Sequence, residues 1–147
     1  MDVEIEKISA EEKELVLIRC RAVTEEVREI AAFVKSRQGS LTGMRDSRQY
    51  EIAVSDIYYF ESVDGKTFLY TKDQVYEPSY RIYELESMLR PKNFLRVSKS
   101  MLLNLMKIRS IQPALNGRLT AVLSSGEEVI ISRSYVKNLK SALKGDL

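Results

Sequence analysis

The sequence predicts an α+β domain, mostly β, built from small antiparallel sheets with short helices and preceded by a short strand-helix N-terminal annex. Three observations carry this. After residue 48 come short runs rich in β-branched and aromatic residues, YEIAV, IYYFESV, TFLYT and QVYEP, separated by turn-formers. Asp64-Gly65, Asn116-Gly117 and Ser125-Gly126 are dipeptides suited to tight hairpins, which argues for antiparallel meanders and against βαβ units. Helical periodicity is confined to short stretches near the start, the middle and the end.

In chain order, residues 15–20 (LVLIRC) read as a short buried strand and Cys20 as a buried structural thiol. Thr24 precedes EEVREIAAFVKSRQG, where Val27, Ile30, Ala31 and Val34 recur at helical spacing and Gly39 is a C-terminal stop. The polar stretch GSLTGMRDSR reads as a connection, so the expected division is an annex over 1–48 and a main domain over 49–147. In the main domain, Tyr80 to Arg90 carries Ile82, Leu85, Met88 and Leu89 on one face, an amphipathic helix that Pro91 ends. RLTAVLS and EEVIIS flank the Ser125-Gly126 turn as strands. Tyr135 to Leu143 closes the chain as a helix with Val136, Leu139, Ala142 and Leu143 on one stripe.

Composition narrows the function. The chain has 147 residues, 44% apolar and 30% charged, as a soluble globular domain does. No apolar run approaches the roughly 18–20 residues a membrane span requires, and the acidic start MDVEIEKIS lacks the pattern of a signal peptide. A cytoplasmic protein without membrane insertion is expected. The chain contains no histidine and one cysteine, which removes the commonest general base, the Ser-His and Cys-His nucleophile pairs and a zinc site of nitrogen and sulfur ligands. Ser134-Tyr135-Val136-Lys137 matches S-x-x-K but lacks any S-D-N or K-T-G partner. The expectation is a non-enzyme with no cofactor and no metal.

Charge is segregated. Residues 1–89 hold 12 Lys/Arg and 18 Asp/Glu, a net −6, whereas residues 90–147 hold 11 Lys/Arg and 3 Asp/Glu, a net +8. A basic half suits a polyanion-binding face, because affinity for a phosphate backbone follows the charges neutralised. A solvated basic surface would look the same. In FLRVSKSMLLNL (94–105) the strand alternation fails after Val97, so Ser98-Lys99-Ser100 reads as a turn, with Phe94, Leu95, Val97 and Met101 to Leu105 as anchors. Lys99 then projects from between two anchored segments.

These pieces together, IAVSDIYYFESVDGKTFLY, FLRVSKSMLLNLMKIRSI, LNGRLTAVLSSGEEVIIS and SRSYVKNLKSAL, resemble the LytTR-type DNA-binding domain of bacterial transcriptional regulators over about residues 50–143. The resemblance implies a mostly β fold that grips the DNA major groove and flanking phosphates with loops. Carried onto this sequence, it implies DNA contacts at Lys66, at Lys99 with Ser98 and Ser100, at Arg133 and Ser134, and at Lys137 on phosphate. The family often has His at the position of Ser98 and a second basic residue at that of Ser134. Many members also carry a receiver domain, for which the first 48 residues are too short, so a stand-alone form without a phosphoacceptor aspartate is expected. The implied function is a sequence-specific regulator on double-stranded DNA, acting as a homodimer on paired half-sites, with control left to expression level or to a regulatory partner protein. The competing reading is a protein-interaction module that kept the fold and lost specific DNA binding.

Overall fold

Thr24 begins the ordered helical part of the chain. Its hydroxyl accepts a hydrogen bond from the Val27 N–H at 3.3 Å, so the first helix, α1 (Glu25–Arg37), starts where the sequence placed it. Glu25 and Glu26 in the first turn and Lys35 and Arg37 in the last complement the helix dipole. The computed structural model describes residues 1–37 and 39–144. Gly39 lies just beyond α1 at φ +91°, a conformation that glycine adopts without strain.

The stretch read as a connection is instead a hairpin. β1 (Ser40–Arg45) pairs antiparallel with β2 (Arg48–Ala53) along its whole length, from Ser40 opposite Ala53 to Arg45 opposite Arg48. Asp46 and Ser47 both adopt left-handed φ, 51° and 61°, which closes a two-residue turn without glycine. The hairpin went unread because Asp-Ser is a weak turn signal and Leu41, Gly43 and Ile52 show little apolar alternation. The ladder crosses residue 48, so β1 belongs to the same sheet as the strands after it.

The remaining elements follow the expected order. They are β3 (Tyr59–Val63), β4 (Lys66–Tyr70), β5 (Val75–Pro78), α2 (Ile82–Leu89), β6 (Phe94–Arg96) and β7 (Met101–Asn104). After them come β8 (Ile108–Pro113), β9 (Leu119–Leu123), β10 (Glu128–Ile131) and α3 (Val136–Leu143). Asp64 at φ 50° and Gly65 at 79° form the expected turn between β3 and β4. Strands one to seven make an antiparallel sheet in the order β2-β1-β5-β4-β3-β7-β6, and the last three make a second sheet in the order β10-β9-β8.

Alternation along the central strands creates two cores. Phe60, Leu69, Phe94 and Leu102 point to one face of the large sheet, where they pack with Ala32 of α1 and Leu85, Met88 and Leu89 of α2. Tyr59, Leu95, Val97 and Leu103 point to the other face and meet Leu119, Ala121 and Leu123 of β9, Val129 and Ile131 of β10, and Leu139 of α3. The molecule is therefore layered as helices, large sheet, and small sheet with α3. Strands buried on both faces read as continuous apolar runs, which is why YYF, FL and LLNL look featureless in sequence.

Two expectations for the annex do not hold. Residues 15–20 form no strand and make no ladder, and Leu15, Val16 and Leu17 are exposed. Cys20 is likewise exposed. The run has strand composition, but no strand of this chain pairs with it, and only Ile18 within it is half-buried. The helical half of the annex behaves differently. α1 joins the first core through Ala32, and its Arg28 carbonyl accepts a hydrogen bond from the Tyr80 hydroxyl at 2.9 Å.

Asn104 is a buried polar side chain set between the cores. Its Nδ2 donates to the Ile57 carbonyl at 2.8 Å and its Oδ1 accepts from the Met106 N–H at 3.0 Å. Asn104→Ala leaves the buried Ile57 carbonyl without this donor and releases the Met106 N–H, at an expected cost of about 1–3 kcal/mol. Urea denaturation checks this as a lower midpoint at unchanged m value.

Candidate nucleic-acid interface

The turn between β6 and β7 is built by its own serines. The Ser100 N–H donates to Ser98 Oγ at 3.3 Å, and the two hydroxyls lie 3.4 Å apart. Within it the Val97 N–H bonds the Met101 carbonyl at 3.1 Å, closing the loop over a Val97 side chain that is wholly buried. Both serines are half-buried, and Lys99 between them is exposed. The segment thus holds one cationic side chain outward on a turn that little motion can distort.

Two neighbouring loops are fastened to this turn through the backbone. On one side the Ser62 N–H of β3 donates to the Ser100 carbonyl at 2.8 Å. That bond ties the end of the β3–β4 hairpin, where Lys66 stands exposed opposite Val63, to the Lys99 turn. On the other side the Ser132 N–H donates to the Val97 carbonyl, also at 2.8 Å. Ser132 leads directly into the short 3₁₀ turn Arg133–Tyr135, in which Arg133 and Ser134 are exposed. Lys137, in the first turn of α3, is exposed just beyond them. The three segments singled out in the sequence are joined in the order Lys66 loop, Lys99 turn, Arg133 turn.

Several participants gave no sequence signal. Ser62 and Ser132 act through backbone N–H groups, to which side-chain identity is blind. Gly117, at φ +75° in the β8–β9 connection, lies against Arg133: a Cβ there would sit 3.0 Å from Arg133 Cδ. The glycine lets that connection cover the arginine stem, and it brings the exposed Arg118 to the same end of the small sheet. Behind the turn, Arg96 is mostly buried and its Nε lies 3.9 Å from Glu86 Oε1 of α2.

Not all of the basic half is here. Lys92 and Lys107 line a groove with Gly39, Val54, Ser55, Asn104 and Met106, at the end of β7 away from the Lys99 turn. The Lys107 ammonium stacks on the Tyr58 ring, 4.9 Å from its centroid. At that end the small sheet is clamped to the large one. The Tyr59 hydroxyl donates to Glu127 Oε2 at 2.9 Å, and Tyr58 and Ser124 share a hydroxyl hydrogen bond at 3.1 Å. Burial, reinforced by Glu127, raises the Tyr59 phenol above its ordinary value and keeps it a donor. Among the described residues no helix is long and apolar enough to cross a membrane.

Comparison with known proteins identifies the family of this fold. The chain is 34% identical over 98 residues to the sensory transduction protein LytT of Enterococcus faecalis, covering 67% of this chain and 40% of that one. It is 34% identical over 114 residues to the transcriptional regulatory protein YpdB of Escherichia coli K12, covering 77% and 47%. An HTH-type transcriptional regulator of Staphylococcus aureus is 32% identical over 104 residues, covering 71% and 70%. The chain thus spans less than half the length of the first two relatives. A solved LytTr DNA-binding domain from Bacillus cereus superposes with a TM-score of 0.68 over 71% of this chain and 96% of that domain, at 24% identity, and so shares its fold. Residues 47–144 match the LytTr DNA-binding domain family, and the chain belongs to that family.

Proposed function

We propose that this protein is a sequence-specific DNA-binding transcriptional regulator that reads the major groove through loops and acts as a homodimer on paired half-sites. The observation that carries the reading is the pair of 2.8 Å backbone bonds that fasten the Lys66 and Arg133 loops to the Lys99 turn. Loops held this way lose little conformational freedom on binding, so contacts made through them are not offset by ordering. Lys99 and Arg133 are the base readers in this reading, since a cationic donor can pair with guanine O6 and N7. Lys66 and Lys137 meet the flanks. Ser98 and Ser100, whose hydroxyls face each other, serve chiefly to shape the turn, and exposed Ser134 adds a single hydroxyl beside Arg133.

An electrophoretic shift against promoter DNA from the protein's own locus tests this. Lys99→Ala and Arg133→Ala are each expected to cost about 1–3 kcal/mol on the specific site and to relax specificity at one base position. Lys137→Ala is expected to weaken all sequences alike and to reduce the salt slope by about 1. Binding without sequence preference, unchanged by Lys99→Ala and Arg133→Ala, would sink the base-reading assignment and favour the protein-interaction alternative.

Fastening by the backbone is separately testable. Ser132 has φ −63° and ψ 144°, values a proline adopts without strain, so Ser132→Pro deletes one N–H at little conformational cost. The ring also puts Cδ where the proton pointed at the Val97 carbonyl. Because the Val97 carbonyl is left unpaired and pushed aside, the expected result is a loss of fold stability of about 1–3 kcal/mol and a larger loss of specific DNA affinity. Chemical denaturation and the same shift assay, run side by side, read the two quantities.

A further inference from the structure

The first 23 residues form an arm that is unfinished within one copy of the chain. A turn over residues 9–12, closed by the Glu12 N–H to the Ser9 carbonyl at 3.2 Å, separates two limbs without regular secondary structure. Among the described residues this is the arm's only backbone–backbone hydrogen bond, and neither limb joins a ladder. The limbs instead flank an open groove of about 840 Å³, lined by apolar Val3, Ile5, Leu15 and Leu17, by Ile30 of α1, and by the charged Asp2, Glu4, Arg19 and Arg21. Val3 is 88% exposed, Ile5 94% and Leu17 72%, and Phe33 on α1 adds a large exposed ring. Backbone with unpaired N–H and C=O groups beside β-branched side chains is open to strand pairing with another chain.

Charge says which chain. The first limb carries Asp2, Glu4 and Glu6 on alternate positions, and the second carries Arg19 and Arg21 on alternate positions. An acidic limb and a basic limb in the same arm are self-complementary across a two-fold axis, where each is met once by its opposite. We propose that the arm is a homodimerisation element: the acidic limb of one copy pairs as a β-strand with the basic limb of a second copy, and the shared sheet covers the exposed face of α1 at Ile30 and Phe33. The proposal deepens the paired half-site reading by naming the surface that makes the pair, leaving the Lys66, Lys99 and Arg133 loops free on each copy.

Sedimentation velocity on the full chain, at tens of micromolar, reads the proposal without DNA. The wild type is expected to be dimeric, and Ile5→Asp and Leu17→Asp to weaken self-association by about tenfold or more. Both positions are exposed, so the far-UV circular dichroism and the shift of a single half-site are expected to be unchanged. Glu4→Arg with Glu6→Arg, and Arg19→Glu with Arg21→Glu, are each expected to be monomeric alone and to form a heterodimer when mixed. A monomeric wild type, a dimer indifferent to Ile5→Asp and Leu17→Asp, or charge-reversed chains that fail to rescue each other would overturn it. Because the half-site shift is read separately, loss of DNA binding and loss of dimerisation are told apart.

Discussion

Strands β6 and β7 are buried on both faces, and the rest of the molecule is arranged around that constraint. A strand pair in the middle of a structure cannot present polar side chains to either side, so Phe94 and Leu102 serve one core while Leu95, Val97 and Leu103 serve the other. Helices α1 and α2 must cover the first face, and the small sheet with α3 must cover the second. Polar groups in this region are allowed only where the pair ends. At one end Asn104 satisfies the backbone around Ile57 and Met106. At the other, Ser98 and Ser100 close the turn that holds Lys99 outward.

The position of the turn gives it more weight than its length suggests. It is the rim of the two-core sandwich, so a loop from each layer arrives beside it: the β3–β4 hairpin from the large sheet, and the segment after β10 from the small one. Both arrive as strands, and both therefore bring spare N–H groups, of Ser62 and Ser132, that find the carbonyls of Ser100 and Val97. Covalently distant segments are fastened to one another through four backbone groups. The side chains between them need only be long and cationic to reach outward, which is what Lys66, Lys99 and Arg133 are. The opposite end of the sheet is shut by tyrosine hydroxyls, and there Lys107 is drawn over the Tyr58 ring.

The separation of the arm from this framework follows from the same packing. Both faces of the central strands are already covered, and α1 packs on the first of them, so Leu15 to Leu17 stay exposed in this chain. An apolar segment in that position is an unsatisfied demand for a partner, and its split of acidic and basic limbs suits a second copy.

Sequence alone determined most of the segments that become strands and helices, because side-chain periodicity and turn chemistry are local. Asp64-Gly65, Pro91 and the stripe of Ile82, Leu85, Met88 and Leu89 act within a few residues of themselves, and each does what its spacing implies. It also singled out Lys66, Lys99 and Arg133, through loop position and family resemblance. Two local readings failed for physical reasons. The β1–β2 hairpin uses left-handed Asp46 and Ser47 in place of glycine, and LVLIRC has the composition of a buried strand without a strand of this chain to pair with it. What only the tertiary structure decided is that the segments before Lys66 and before Arg133 are each bonded to the Lys99 turn. That depends on backbone bonds of Ser62 and Ser132 across the chain, and a backbone N–H is the same in every residue but proline, so no pattern of side chains could have announced it.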